Sequence, residues 1–250
     1  MRIDYPQSNQ LSQLRGLWQE AFHDDGAFLD GFFDDVFSPD RCRCISVDGQ
    51  VAAALYWLDC RAYDRPVAYL YAVATAKRHR GKGLCRALME DTHLLLKELG
   101  YAGCLLVPED HLVGMYENFG YHFCSAIREF SCRAGEDPIS LRKLTPEEYA
   151  AARRQYLPEG GVVQEGENLL FLQKMTDFYA GEELLFCASV TDGECFCPEL
   201  LGNAAAAPAV LCALGAEKGR FRAPGEGKDF AMFHALSGLT PPTYFGLAFD

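Results

Sequence analysis

The sequence has no Cys-x-x-Cys pair, no run of about 18 apolar residues and no surplus of cations. Each absence removes a class of function. Eleven cysteines are present, but without Cys-x-x-Cys the spacing of zinc ribbons and of thioredoxin-like redox sites is missing. Cys42/Cys44 and Cys195/Cys197 form Cys-x-Cys pairs on expected strands, where alternate residues share a face, so structural buried thiols and no metal are expected. The missing long apolar run argues against a membrane helix, and Met-Arg-Ile-Asp-Tyr-Pro at the start carries no apolar signal region, so a cytoplasmic location is expected. With 23 Lys+Arg against 35 Asp+Glu the net charge is -12, the wrong sign for nucleic acid, whose phosphates are met by cationic excess. Such a surface draws in cationic amines or serves solubility alone. What is present is ample apolar material: 250 residues at 49% hydrophobic content can bury one large core or two smaller ones.

The densest chemistry lies between residues 67 and 99. Val67-Ala-Tyr-Leu-Tyr-Ala-Val-Ala74 is an apolar run of strand length. From Gly83 to Leu99, residues Leu84, Ala87, Leu88, Leu94, Leu95 and Leu99 fall near helical spacing, with Gly100 as a C-terminal stop. Gly81 and Gly83 therefore open the helix, where glycine lets backbone N–H groups approach a ligand, and Arg78, Arg80 and Lys82 add full charge beside them. Two readings fit: a phosphate cradle, or a tight strand-to-helix turn with a solvated basic rim. A Walker loop is excluded because Leu84 stands where Ser or Thr would hold magnesium. A dinucleotide fingerprint is excluded because position 86 is Arg rather than Gly.

The pattern Arg78-His-Arg-Gly81-Lys-Gly83 resembles motif A, Arg/Gln-x-x-Gly-x-Gly/Ala, of the GNAT N-acetyltransferase superfamily. About 35 residues later Met115-Tyr116-Glu-Asn-Phe-Gly120-Tyr121 is similar to that family's Leu-Tyr-x-x-x-Gly-Phe/Tyr element. The resemblance covers roughly residues 1–130 and implies acetyl-CoA as co-substrate, with transfer to a primary amine by direct attack in a ternary complex. It implies that Val73, Ala74 and Thr75 offer backbone contacts to pantetheine and, around a bulge, an N–H to the thioester oxygen. Arg78, Arg80, Gly81, Lys82, Gly83, Leu84 and Cys85 would take the pyrophosphate, and Tyr116 would protonate the departing thiolate. One departure stands out: Glu109 occupies the position of an Asn that many members use against the pantetheine arm. His79 and His111 have no motif counterpart and are expected at the surface. The base is not legible; Glu20, Asp59, Asp64, Glu109 and Asp110 border the acceptor side in such a fold. The larger tandem acetyltransferases resembling the enhanced intracellular survival protein use a terminal carboxylate, but this sequence is too short for their third domain, so Asp250 is not carried over. The acceptor is expected to be a small-molecule or peptide amine, with no nucleic acid and no membrane as partner and a homodimer left open. The rival readings are a catalytically silent acyl-CoA-binding regulatory module and an interaction protein.

The element order predicts an α/β chain, an α+β mixed sheet built as two tandem GNAT-like domains. Helices over 10–22 and 24–37 precede a hairpin of Arg41 to Val47 and Val51 to Leu58 about Asp48-Gly49. The strand and helix of the cradle follow, then strand 103–107, helix 111–119 and strand 121–131. The polar segment Arg133-Ala-Gly-Glu-Asp-Pro138 reads as a linker, giving an acetyl-CoA-binding domain at 1–132 and a degenerate one at 138–250. The second stretch repeats the order at a period of about 135 residues. Thr145-Pro-Glu-Glu148 signals a helix start, followed by a helix over 167–180 and strands flanking Asp192-Gly193. A helix over 203–214, a strand at 219–222, a helix over 228–236 and a last strand at 243–249 complete the expectation. Leu200-Leu-Gly-Asn-Ala-Ala-Ala-Ala-Pro208 stands where the cradle would be, without a cation, and Phe233 to Gly238 stands at the place of the tyrosine element, without a tyrosine.

Overall fold

A computed structural model describes residues 2–249. The chain divides into two compact units. Unit 1 holds the residues up to His122 together with Phe233–Pro241; unit 2 holds Phe123–Met232 and the residues from Pro242 on. The expected division at 132/138 was linear, whereas each unit takes in one piece of chain from beyond that boundary.

Unit 1 contains β1 (Arg2–Asp4), α1 (Leu11–Phe22), α2 (Gly26–Asp35), β2 (Cys42–Val47), β3 (Gln50–Ala62), β4 (Arg65–Thr75), α3 (Leu84–Glu98), β5 (Gly103–Leu106) and α4 (Val113–Glu117). The strands lie in the order β1-β2-β3-β4-β5. All neighbours pair antiparallel except β4 and β5, which are parallel. Asp48 and Gly49 turn β2 into β3 with φ of 51° and 76°, the two left-handed conformations that such a tight hairpin demands. Asp25 caps α2 by accepting from the Phe28 N–H at 2.7 Å. The core on one side is aromatic: the Trp18 ring lies 4.6 Å from Phe32, 5.2 Å from Tyr56 and 5.5 Å from Tyr71, which fastens α1 and α2 to β3 and β4. Helix α3 is tied to β2 by Arg43, whose guanidinium donates to Asp91 at 2.6 Å and 2.8 Å.

Unit 2 contains most of β6 (His122–Arg133), then β7 (Arg142–Leu144), α5 (Pro146–Tyr156), β8 (Val163–Gln164), α6 (Glu167–Leu172), β9 (Asp177–Gly181), β10 (Leu184–Thr191), β11 (Glu194–Gly202), α7 (Ala207–Leu214), β12 (Lys218–Pro224) and the start of β13 (Lys228–Ala235). Its order is β13-β6-β12-β11-β10-β9-β7. Again one pair, β11 with β12, is parallel, while β7, β9, β10 and β11 pair antiparallel. The predicted capping box is formed: Thr145 Oγ1 accepts from Glu148 N–H at 3.2 Å and the Glu148 carboxylate accepts from Thr145 N–H at 2.9 Å. The last residues of β13, from Phe233 on, lie beside β5 in unit 1.

Three expected elements of unit 2 differ. The helix over 167–180 stops at Leu172, and Asp177–Gly181 is a strand paired to β7 and β10, because the aromatic Phe178 and Tyr179 find a sheet edge to fill. Lys228–Ala235 is a strand where a helix over 228–236 is expected. Phe230, Ala231, Met232 and Phe233 are buried in succession, and such a short apolar run carries no period that separates an inner strand from a helix. The segment 233–238 is thus the last three residues of a strand and the bend after it, and not a counterpart of the α4 element. Residues 243–249 form no strand; Tyr244 makes a single bridge to Gly161, and the buried stretch 244–249 is otherwise irregular. No helix among the described residues is long and apolar enough to cross a membrane.

Candidate functional site

The cradle begins with a strand that breaks its own ladder. Ala54 pairs with Ala74 and Tyr56 with Tyr71, so β4 carries one residue more than β3 between these pairs. Ala72 absorbs it at φ 49°, a left-handed conformation that alanine adopts only under constraint. The parallel register with β5 spans Val67↔Gly103 to Tyr69↔Leu105, and β4 runs six residues further to Thr75. The stretch Val73-Ala74-Thr75 therefore projects beyond the β5 pairing with a bulge at its root.

After Thr75 the chain makes a short turn, Lys77–His79, and then two glycine steps into α3. Gly81 and Gly83 have φ of 72° and 78°, and nothing lies within 4 Å of where a Cβ would stand. The requirement for glycine at both is conformational, and the space in front of them is open. Gly83 is the N-cap of α3 and supplies no side-chain cap, so the first N–H groups of this 15-residue helix carry no side-chain acceptor. Arg78, Arg80 and Lys82 are exposed around this terminus. The loop is braced from within: Arg80 Nε donates to the Thr75 carbonyl at 3.1 Å, Lys82 Nζ to the Arg78 carbonyl at 3.0 Å, and Lys77 N–H to Glu20 Oε1 at 2.5 Å. Open N–H donors, a positive helix end and three cations have the chemistry that an anion requires.

Tyr116 lies on α4 and is 7% exposed. Burial holds its hydroxyl well above the usual phenol range, and Cys85 and Glu109 push the same way. Those two neighbours connect the sites: Cys85 is the second residue of α3, and Glu109 leads into α4. The fold thus brings together Tyr116, the start of α3 and the residue that replaces the expected Asn. The helix ends through Gly120 at φ 84°, where Phe119 N–H and Tyr121 N–H both donate to the Tyr116 carbonyl, at 2.9 Å and 3.1 Å.

Of the other carboxylates, Glu20 braces the loop and Glu109 contacts His111 at 3.3 Å, both side chains being exposed. Asp59 sits opposite Ala68, before the bulge, and accepts from Tyr101 and Arg41. Asp64 belongs to the turn at the far end of the β3–β4 hairpin, roughly 35 Å along the strand from Thr75 at about 3.3 Å per residue. His111 is exposed, and half-buried His79 accepts from Arg78 Nε at 3.1 Å. Asp250 is outside the described residues. All eleven cysteines are free thiols, seven of them buried. No group of three or more metal-ligating side chains gathers among the described residues.

Sequence reasoning missed two buried polar clusters. In unit 1, Tyr121 Oη lies 2.9 Å from His93 Nε2 and 3.0 Å from Cys104 Sγ, and His234 stacks on His93 at 4.5 Å. In unit 2, the Glu199 carboxylate, 0% exposed, accepts from Arg153 Nε at 2.7 Å, Tyr149 at 2.9 Å and Tyr244 at 3.0 Å. Glu199 lies 45 to 50 positions from its three partners, and members of the other cluster lie up to 141 positions apart, so no local spacing announces them.

Residues 2–124 match the acetyltransferase (GNAT) domain model. No curated protein matches the sequence. Among solved structures, a GCN5-related N-acetyltransferase from Kribbella flavida superposes with a TM-score of 0.73 at 19% identity, over 94% of this chain and 71% of that one. A GCN5-related N-acetyltransferase from Anabaena variabilis gives 0.72 at 13% identity, over 94% and 72%. Eis1 from Mycobacterium abscessus gives 0.70 at 12% identity, over 94% and 74%. At such identities the likeness is one of fold.

Proposed function

We propose that the protein, whose residues 2–124 match the GNAT acetyltransferase domain model, is an N-acetyltransferase that passes the acetyl group of acetyl-CoA to a primary amine by direct attack in a ternary complex. The observation that carries the reading is the buried Tyr116, its hydroxyl held in the protonated form, beside the open N-terminus of α3. The residues present fit the co-substrate: two left-handed glycines with free space in front of them, uncapped helix N–H groups and three exposed cations suit a pyrophosphate.

Acetyl-CoA supplies an acyl group already activated as a thioester. Gly81 to Cys85 would bind its pyrophosphate, with Arg78, Arg80 and Lys82 neutralising the charge. Val73 to Thr75 would align the pantetheine arm along the part of β4 that outruns β5, and a backbone N–H at the Ala72 bulge would orient and polarise the acyl oxygen. Tyr116 keeps its proton until the sulfur departs and then donates it there. Unit 2 is read as a degenerate copy of the same fold without a cofactor site. That reading is supported by its matching pattern of pairings and by a helix start, at α7, that Asn203 and Pro208 close to anions.

The test compares wild type with Tyr116→Phe, following thiol release across a panel of amines and CoA affinity by calorimetry. The expected result is a fall of roughly 100-fold or more in kcat with CoA affinity within about twofold. An unchanged kcat overturns the role of Tyr116. A wild type that binds CoA yet turns over no amine leaves the regulatory module, and one that binds neither CoA nor acetyl-CoA overturns the cradle.

A further inference from the structure

We propose that His234 and His93 are positioning residues for Tyr116, acting through the Gly120 carbonyl and the Tyr121 side chain; this rests on the catalytic reading of Tyr116 given above. Helix α4 has five residues, too few to hold a side chain in place by helix formation alone. Its exit is gripped instead from below. The Tyr116 carbonyl accepts from Tyr121 N–H at 3.1 Å, and the two rings meet edge to face at 5.9 Å and 71°. Any displacement of Tyr121 is therefore passed to Tyr116 through both backbone and ring.

Tyr121 is 0% exposed and its hydroxyl is held by His93 Nε2 at 2.9 Å and Cys104 Sγ at 3.0 Å. The residue before it is held by His234: the Gly120 carbonyl can only accept, so the Nδ1 at 3.0 Å carries the proton. The two imidazoles then stack at 4.5 Å and 17°, forming one wedge that contacts the side chain of Tyr121 and the backbone of Gly120 together. Burial, then His234, push the His93 pKa down to about 4, so near neutral pH the ring is uncharged and shares one proton with the Tyr121 hydroxyl across the Nε2 contact, with Cys104 Sγ as that hydroxyl's second partner.

The fold makes room for this wedge at two glycines. A Cβ at Gly103 would stand 2.2 Å from the Phe233 ring and 2.9 Å from the His234 carbonyl, and one at Gly120 would stand 2.9 Å from His234 Nδ1. Gly120 therefore has two reasons to be glycine: its left-handed turn and the imidazole against it. Nothing about the anion cradle requires His234, which comes from strand β13, far along the chain from Tyr116.

The experiment uses the full chain with His234→Ala, His234→Asn and His93→Gln, each alone and combined with Tyr116→Phe. The side-chain amide of Asn can donate to the Gly120 carbonyl as Nδ1–H does, and that of Gln can reach the Tyr121 hydroxyl as Nε2 does. The expected result is a loss of about tenfold in kcat for His234→Ala with KM for acetyl-CoA within about twofold, most of it restored in His234→Asn. In the Tyr116→Phe background His234→Ala should cost nothing more. The same factor lost in both backgrounds, or no loss in either, overturns the proposal. A readout independent of turnover is the fluorine NMR spectrum of protein labelled with 3-fluorotyrosine, in which the Tyr116 resonance is identified by its disappearance in Tyr116→Phe. It should shift or broaden in His234→Ala and return in His234→Asn. A Tyr116 resonance indifferent to both substitutions refutes positioning even if no amine is ever turned over. A Tyr116→Phe protein with wild-type kcat instead refutes the catalytic reading and leaves the NMR result to decide the positioning.

Discussion

Gly83→Ala isolates the conformational demand of the cradle from everything else in it. The residue caps α3 at φ 78° and ψ 5°, and no atom lies within 4 Å of a Cβ built there, so the added methyl group meets nothing. Its cost is the left-handed backbone, about 1–2 kcal/mol for an L-residue with a β-carbon. The loop is exposed and free to relax, so the unliganded variant escapes most of that strain by leaving the left-handed region. Ligand binding must then restore it. The penalty should therefore appear in affinity rather than in melting temperature, as a Kd for CoA raised about 5- to 30-fold at 1.4 kcal/mol per decade. Gly83→Asn, which tolerates this conformation better, should lose less. Calorimetric titration with CoA and with pantetheine, which lacks the pyrophosphate, reads both predictions, and pantetheine should bind the variant and the wild type alike. Wild-type affinity of Gly83→Ala for CoA would refute the reasoning, as would an equal loss for the two ligands.

Two further outcomes follow from buried charge. His93, near Tyr121, Cys104 and His234, has its pKa pushed down to about 4 from an ordinary 6.5. The unfolded chain therefore binds a proton that the folded one refuses, so stability from this group is complete above about pH 6.5 and is lost as pH falls toward 4, by roughly 2–3 kcal/mol. Urea midpoints between pH 7 and pH 4 should drop more in wild type than in His93→Gln, and parallel drops would show that another group is responsible. In unit 2, Arg153→Met leaves the fully buried Glu199 carboxylate with only hydroxyl donors from Tyr149 and Tyr244, at an expected cost of about 3–5 kcal/mol. Arg153→Met combined with Glu199→Gln should recover a measurable part of it in urea titrations; a double variant as unstable as the sum of the single ones would contradict a coupled pair.

What could be read from the sequence was whatever physical chemistry writes locally. The Asp48-Gly49 and Asp192-Gly193 turns, the Thr145/Glu148 box and the glycines at 81 and 83 each need a particular residue at a particular backbone angle, and all appear where their spacing predicts. Helix α3 also forms where expected, but its buried stripe is Leu84, Leu88, Met89, Thr92 and Leu96, while Leu94 and Leu99, counted in the expected spacing, are exposed. The errors fall where period is absent. Phe230 to Phe233 is apolar without interruption, and whether such a run becomes helix or strand is decided by a neighbour, which for the part in unit 2 is β6. The boundary at residue 132 misjudged which unit takes β6, because strand partnership is a long-range choice with no sign in the polar turn that follows it. The two buried polar clusters were illegible for the same reason: a His, Tyr or Glu in isolation reads as surface, and only the assembled contacts give each its partner.

The two strand-to-helix junctions show why an anion site needs more than a helix end. Both inner strands carry a bulge, at Ala72 in β4 and within Cys197-Pro198 in β11, and both junctions use a left-handed glycine, Gly83 at 78° and Gly202 at 86°. The chemistry around them diverges. At α3 the first N–H groups have no side-chain cap and three cations stand in solvent beside them. At α7 the Asn203 side chain already accepts from Ala205 N–H at 3.2 Å, Pro208 has no N–H to give, and the stretch from Leu200 to Leu214 has no Lys or Arg. The room beside the second bulge is also filled. Glu199 follows it directly and is locked by Arg153, Tyr149 and Tyr244, and a Cβ at Gly246 would stand 2.3 Å from its Oε1 and 2.1 Å from the Tyr244 hydroxyl. In the first unit the strand leaving the bulge is proposed to offer its backbone to a ligand; in the second it offers a carboxylate to its own protein. The proposal of a single acyl-CoA site per chain rests on those differences, since neither the dipole of α7 nor the glycine at 202 can replace the donors, the cations and the empty space that residues 78–85 keep together.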